Sequence, residues 1–204
     1  MPAITDKSRR LDDWFTSDIQ FNLLYPPPIQ ALARMHWTPL AVIKSAAEFL
    51  ATRDGSRILD IGSGVGKFCL SASYYQPNVL FAGVEQRSSL VEHAITVRNA
   101  LGFPNVSFIT ANFTQLDFSR YDHFYFYNSF FENLGDADRI DDSIQYSPSL
   151  YHYYSNYLRR ELGKMPVGTR IVTYCSWQDE IPPSYELVRT DLDGLLKFNV
   201  KTHS

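Results

Sequence analysis

Apolar residues recur along this chain with two periods that alternate. Short apolar runs, typical of buried strands, are separated by segments in which apolar residues recur every three or four positions, as on the buried face of a helix. The runs predict strands at 57–61, 79–84, 106–110, 123–127, 170–175, 185–190 and 195–200. Strands that alternate with helices favour a parallel sheet that is covered on both faces.

Local signals add the boundaries of the helices and turns. Thr38-Pro39 has the pattern of an N-cap and first helical position, and Ser89 with Glu92 has the spacing of a capping box. We predict further helices over 67–75 and from Ser147-Pro148, and a short helix in 11–25 that ends at three prolines. Asp193-Gly194 predicts a tight antiparallel hairpin near the end.

The predicted fold class is therefore α/β. We expect a Rossmann-like, doubly wound sheet, mostly parallel, with a C-terminal antiparallel hairpin and a short helical N-terminal cap. Residues 1–37 are expected to form this cap or lid, and residues 38–204 the main domain. Ligands of such sheets bind at the carboxyl ends of the strands, so the residues after each strand are the candidates for a site.

Composition narrows the classes of partner. The chain has 204 residues, 45% of them hydrophobic, and a net charge of −3, which indicates a single domain without a strongly basic face. We therefore expect no strong nucleic-acid signal. With no long apolar run and no signal peptide, we also expect no membrane and a cytoplasmic location. Cys69 and Cys175 stand singly, which predicts reduced thiols, and no pattern of metal ligands occurs.

The most informative stretch is LDIGSGVGKF at 59–68, because glycine loops of this kind hold nucleotides. A phosphate-binding P-loop would need glycine where Ile61 stands and serine or threonine where Phe68 stands. The dinucleotide fingerprint fits at Gly62 and Gly64 but has Lys67 in place of its last glycine. Neither of these patterns is complete.

With three later segments, the loop resembles the motifs of class I, seven-stranded S-adenosylmethionine-dependent methyltransferases. Gly83-Val84-Glu85 ends the second strand, Ala111-Asn112-Phe113 follows the third, and Asn128 follows the fourth. The resemblance covers about residues 38–200. It implies a sheet whose last strand is inserted antiparallel, with S-adenosylmethionine as cofactor and S-adenosylhomocysteine as product.

The resemblance implies cofactor contacts from these segments: Asp60, Gly62, Ser63, Gly64, Gly66, Glu85, Gln86, Asn112 and Phe113. Glycines let the backbone approach a ligand closely, and the N-terminus of the following helix suits a carboxylate. Glu85 can accept hydrogen bonds from both ribose hydroxyls. The alternatives are structural: Asp60 and Asn112 as turn residues, and Glu85 as an ordinary exposed acid.

The segment after the fourth strand resembles a degenerate form of the (Asp/Asn)-Pro-Pro-(Phe/Tyr) motif of amino-group methyltransferases. This implies catalytic roles for Asn128, Phe130 and Phe131, although Ser129 and Phe130 replace the two prolines. Core packing is the alternative for both phenylalanines. A weaker similarity to Dot1-type lysine methyltransferases fits the same residues. The acidic stretch at 133–146 is either a solvated loop or an entrance for a cationic substrate.

The sequence thus predicts an S-adenosylmethionine-dependent methyltransferase that acts on an amino nitrogen of a protein lysine or another amine. The methyl acceptor itself is not identified by any motif. Two alternatives stay open, a NAD-dependent oxidoreductase and a noncatalytic scaffold that keeps the cofactor pocket.

Overall fold

A seven-stranded sheet organises the chain, and the computed structural model describes it over residues 10–135 and 139–203. The strand order is β3-β2-β1-β4-β5-β7-β6, with β1 to β5 parallel and β7 antiparallel to both of its neighbours. The strands are β1 (Arg57–Ile61), β2 (Leu80–Glu85), β3 (Val106–Thr110), β4 (His123–Tyr127), β5 (Arg170–Tyr174), β6 (Tyr185–Asp191) and β7 (Leu196–Lys201). The predicted Rossmann-like α/β class, with its antiparallel hairpin, is confirmed.

Helices cover both faces of the sheet. They are α1 (Asp18–Asn22), α2 (Pro27–Gln30), α3 (Ala33–His36), α4 (Leu40–Leu50), α5 (Lys67–Tyr75), α6 (Ser88–Leu101) and α7 (Pro148–Gly163). Alternate strand residues point to opposite faces. In β1, Ile58 therefore packs in the cluster formed with α4, α5 and α6, whereas Leu59 packs in the cluster that contains Leu158 and Leu162 of α7.

Three local predictions were wrong. The 11–25 segment forms a 3-10 helix at Leu11–Phe15 and then α1, not one helix. Pro39, not Thr38, is the N-cap of α4, because Asp18 accepts the Leu40 N–H (3.0 Å) and the Thr38 hydroxyl bonds the Tyr125 hydroxyl (2.9 Å). Helix α6 begins one residue before Ser89, so the predicted capping box does not form.

From residue 10 onward, the N-terminal segment packs closely on the sheet's helical layer. The Phe15 ring stacks on Tyr74 of α5 with centroids 4.0 Å apart, and the Tyr25 hydroxyl donates to the Val65 carbonyl (2.9 Å) inside the glycine loop. This segment therefore contacts the loop that precedes α5. Among the residues described, no helix is long and apolar enough to cross a membrane.

His123, at the start of β4, is expected to make the fold sensitive to acid. Its Nδ1 accepts the Arg170 N–H (3.1 Å), so its Nε2 carries the proton toward Thr52 (2.8 Å). Burial, reinforced by the Arg170 charge, lowers the pKa of His123 to about 4. The unfolded chain binds the extra proton from about pH 6.5 downward, so the folding stability contributed by neutral His123 is lost as pH falls toward 4.

We expect this loss to be on the order of 1 kcal/mol between pH 7 and pH 5. Urea unfolding of the protein and of His123→Phe at both pH values measures it. The variant is less stable at both values, but its change between them should be smaller. An equal change in both proteins would contradict the assignment of the effect to His123.

Candidate active site

The carboxyl ends of β1, β2 and β4 meet at one edge of the sheet and enclose a cavity of about 290 Å³. Clefts of roughly this size and larger hold small ligands. Ten of the twelve predicted site residues line it: Asp60, Gly62, Ser63, Gly64, Glu85, Gln86, Phe113, Asn128, Phe130 and Phe131. The other two, Gly66 and Asn112, are not among the lining residues.

The glycine loop connects β1 to α5 and leaves space in front of its backbone. Gly62 (φ 76°) and Gly64 (φ 52°) adopt left-handed conformations that favour glycine, and a Cβ at Gly64 would meet no atom within 4 Å. Gly66 is the N-cap of α5. The Ser63 Oγ is buried and has no hydrogen-bond partner in the described part of the chain. The loop thus leaves open space at Gly64, beside the buried Ser63 hydroxyl.

Glu85, at the end of β2, is 6% exposed and fixes the loop. Its Oε2 accepts the Gly64 N–H (3.2 Å), and its Oε1 accepts the Arg87 N–H (2.9 Å). A carboxylate has about four lone-pair sites, so acceptor capacity is left for a ligand. The structure therefore does not place Glu85 as an ordinary exposed acid.

Arg87, which the sequence reading missed, joins Glu85 to the acidic stretch. Its guanidinium is paired with Glu85 (3.4 Å), Glu132 (2.7 Å) and Asp141 (3.3 Å), and it donates to the Tyr146 hydroxyl (2.6 Å). Asp141 is thus already paired with a cation. Asp136 and Asp138 lie outside the described residues. The network holds Glu132, Asp141 and Tyr146 against the end of β2.

Asp60 is buried at the other side of the cavity, at 3% exposure. Burial, with a smaller contribution from the Glu85 charge, raises the pKa of the Asp60 carboxyl to about 8, while the Cys69 thiol opposes the shift by donating to it (3.7 Å). A cationic group beside Asp60 would favour its ionised form. The position suits an ammonium in the cavity.

The side-chain amide of Asn112 forms hydrogen bonds with neighbouring residues. Its amide donates to Gln86 (3.0 Å) and to the Tyr154 hydroxyl (2.8 Å), and its Oδ1 accepts from Thr114. Phe113, in contrast, reaches the cavity and stacks on Phe130 with centroids 5.0 Å apart. Phe113 therefore forms an apolar wall, with Asn112 supporting it from outside.

The turn after β4 brings Asn128 to the cavity. Its φ of 41° is unusual for a residue with a side chain. Its N–H donates to the Ser176 hydroxyl (3.0 Å), and the Ser129 hydroxyl donates to the Ile61 carbonyl (2.7 Å). These two hydroxyls hold the turn without the prolines of the resembled motif. The Asn128 Oδ1 is buried and has no partner in the described residues.

The two phenylalanines after Asn128 differ in exposure. Phe130 is 4% exposed and packs among Phe113, Phe126 and Tyr154, as in the core-packing alternative. Phe131 is 43% exposed and also lines the cavity. Both line the cavity, and Phe131 is the more exposed of the two.

The arrangement fits S-adenosylmethionine. The open Gly64 backbone and the α5 N-terminus suit its amino-acid end, and Asp60 suits its ammonium. Glu85 suits the ribose hydroxyls, and the apolar wall at Phe113 suits the adenine. Asn128 lines this same cavity, and its side-chain oxygen is buried without a hydrogen-bond partner in the described residues. In the described residues, no group of three or more potential metal ligands lies together.

Comparisons with known proteins agree with the geometry. A family model described as "Methyltransferase domain" matches residues 52–145. An RNA methyltransferase from Salinibacter ruber, solved with S-adenosyl-L-homocysteine, superposes with a TM-score of 0.57 and 19% identity over 82% of this chain and 95% of its own. Precorrin-6y C5,15-methyltransferase from Geobacter metallireducens also gives 0.57, with 14% identity, over 84% and 93%. These two structures support the fold.

Sequence relatives correct the expectation about partners. A tRNA (guanine-N(7)-)-methyltransferase from Synechococcus sp. (strain JA-3-3Ab) is 52% identical over 54 residues, which are 26% of this chain and 23% of the relative. One from Microcystis aeruginosa is 41% identical over 54 residues. The chain thus spans about a quarter of the length of these relatives. The expectation of no nucleic-acid signal was wrong. It rested on the net charge of the whole chain, which says nothing about the sequence of one 54-residue segment.

The resemblance to Dot1-type enzymes stays a prediction. The motif order, the seven-stranded sheet and the matched sequence model agree with one another. The chain has the seven-stranded fold of the class I S-adenosylmethionine-dependent methyltransferases, and its residues 52–145 match a methyltransferase-domain model.

Proposed function

We propose that this protein transfers a methyl group from S-adenosylmethionine to a nucleobase nitrogen in RNA, with tRNA as the first candidate. The observation that carries the proposal is the shared cavity, which Asn128, with its unpartnered side-chain oxygen, lines together with the glycine loop and Glu85. The acceptor class is supported by the local identity to tRNA methyltransferases. This replaces a protein amine as the first candidate.

The mouth of the cavity suits a flat base. Met35 and Phe131 are exposed beside it, and the Tyr127 hydroxyl donates to the Met35 carbonyl (2.8 Å), which fixes α3 against the end of β4. Arg34 is exposed on the same helix. Bases stack on aromatic and apolar side chains, and an arginine beside them suits a phosphate. The net negative charge of the whole chain does not exclude a local contact between Arg34 and a phosphate.

Methyl transfer requires no covalent bond between the protein and either reactant. S-adenosylmethionine supplies a methyl group that is already activated on a sulfonium. The chain's residues hold the donor, exclude water and align the acceptor nitrogen with the methyl carbon. An N–H of the acceptor base would donate to the Asn128 Oδ1, which orients the base so that the lone pair of its target nitrogen meets the methyl carbon. The nitrogen–carbon bond would form as the sulfur–carbon bond breaks, the sulfur would keep that electron pair as S-adenosylhomocysteine, and a target nitrogen that carries hydrogen would release a proton to solvent.

A transfer assay tests the acceptor. Purified protein is incubated with S-adenosylmethionine labelled in the methyl group and, separately, with transcribed tRNA, a protein extract and small amines. We expect label in tRNA, and nucleoside mass spectrometry should place it on a base. Label in protein or amines would overturn the RNA proposal. S-adenosylhomocysteine binding without any transfer would favour the scaffold alternative, and binding of NAD alone the oxidoreductase.

Glu85→Gln is expected to weaken S-adenosylhomocysteine binding by roughly 10- to 100-fold, because a charged acceptor for the ribose hydroxyls is lost. Isothermal titration measures the dissociation constant. Glu92→Gln, an exposed position on α6, makes the same chemical change outside the cavity and should bind as the unmodified protein does. Equal affinity of the two variants would exclude Glu85 from the ribose contact.

A further inference from the structure

Lys67 lines the cavity. In the sequence it served only as a departure from the dinucleotide-binding fingerprint. It is the first residue of α5, directly after the glycine loop, and its side chain is 5% exposed. Buried lysines are rare unless they are paired, because removing an ammonium from water is costly. A buried ammonium at the end of the glycine loop is therefore expected to have a binding partner.

The structure gives the Lys67 ammonium a partial set of partners. Its Nζ donates to Asp18 (2.5 Å) and lies 5.4 Å from the Phe21 ring centroid and 5.7 Å from that of Trp37. Asp18 is 46% exposed and also accepts the Leu40 N–H, so it is shared and partly solvated. An ammonium has three donors, and Asp18 takes one in the described part of the chain. Burial lowers the pKa of Lys67, and the contact with Asp18 opposes this shift.

The glycine loop lies between a buried carboxyl and a buried ammonium, and a cation bound beside the carboxyl would favour its ionised form. Asp60 precedes the loop and Lys67 follows it, and both line the same space. An amino acid carries an ammonium and a carboxylate on one carbon. The pair of side chains is therefore complementary to the methionine end of the cofactor.

We infer that Lys67 binds the carboxylate of the cofactor's methionine end, and that Asp18, Phe21 and Trp37 of the N-terminal segment hold its ammonium in place. The inference rests on the proposed cofactor use. It makes the N-terminal segment part of the cofactor site rather than a cover added to it. Lys67 adds a full charge to the partial positive charge of the α5 N-terminus.

The test compares S-adenosylmethionine with decarboxylated S-adenosylmethionine, which lacks only the carboxylate. Isothermal titration gives both dissociation constants for the unmodified protein and for Lys67→Met, a variant of similar length without charge. The unmodified protein should prefer S-adenosylmethionine by about 10-fold or more, since a buried charge-assisted hydrogen bond contributes this much. Lys67→Met should lose the preference while its affinity for the decarboxylated ligand stays the same.

Lys44→Met, at an exposed position on α4, is the matched control and should keep the preference. A Lys67→Met protein that keeps the preference, or that loses affinity for both ligands equally, would overturn the inference. If that variant does not fold, Asp18→Asn decides instead. Removing the carboxylate that holds the Lys67 ammonium in place should lower the preference, and an unchanged or higher preference would overturn the inference. Failure of the unmodified protein to bind either ligand would instead count against the cofactor itself.

Discussion

Asn128→Gly is expected to lower the rate of methyl transfer about 100-fold or more while leaving cofactor binding intact. Misplacing or removing a group that aligns the acceptor costs at least this much in comparable sites. Glycine is the informative replacement because Asn128 has a φ of 41°, a conformation that glycine adopts freely. The change therefore removes the amide without straining the turn.

Three measurements separate the possible roles of Asn128. Transfer to tRNA reports the chemical step, titration with S-adenosylhomocysteine reports the cofactor site, and urea unfolding reports the fold. We expect a large loss in the first and little change in the other two. Asn128→Ala should lose the same activity and also about 1 kcal/mol of stability, because alanine at positive φ is strained. Asn128→Asp, which keeps an acceptor oxygen, should retain more activity than either.

Full activity of Asn128→Gly would show that the unpartnered oxygen has no part in the reaction. Loss of cofactor binding in parallel with activity would make Asn128 a structural residue of the pocket. Asn99→Ala, an exposed asparagine on α6, serves as the matched control and should change none of the three measurements.

The positions of the strands could be predicted from the sequence, whereas contacts between segments that are distant in the sequence could not. All seven strands were predicted within a few residues, because each is a short apolar run and its neighbours in the sheet need the same pattern. The start of α4 was mispredicted because its first N–H is capped by Asp18, which lies 22 residues away. No local pattern contains that information.

The same limit applies to the site. The glycine loop and Glu85 follow local motifs that one segment carries, so their positions could be predicted. Arg87 pairs with Glu132, which is 45 residues away in the sequence, and Lys67 pairs with Asp18, which is 49 residues away. Charged residues of this kind look like surface residues in a sequence. Only folding shows that they are buried and paired beside a cavity.

The second large effect is expected at Gly62, where the glycine loop meets the turn after β4. A Cβ built at Gly62 overlaps the Oγ and Cβ of Ser129, and its φ of 76° adds strain for any residue but glycine. We expect Gly62→Ala to lose about 2–4 kcal/mol of folding stability, from the conformation and from the overlap together. Binding of S-adenosylhomocysteine should be lost with it, since the loop must move.

Gly55→Ala separates the two contributions. Gly55 has nearly the same φ, 75°, but a Cβ there meets no atom within 4 Å, and the position lies outside the cavity lining. Urea unfolding should therefore show only the conformational cost, about 1–2 kcal/mol, with cofactor binding unchanged. An equal loss in both variants would mean that the contact with Ser129 contributes nothing.

The double variant Gly62→Ala with Ser129→Gly tests the contact directly. Removing the Ser129 side chain makes room for the new Cβ, so the double variant should be more stable than Gly62→Ala alone, although the bond to the Ile61 carbonyl is lost. Recovery of cofactor binding would show that the loop regains its position. The cofactor loop and the turn that carries Asn128 would then be one packed unit, in which a change on the donor side displaces the group that aligns the acceptor.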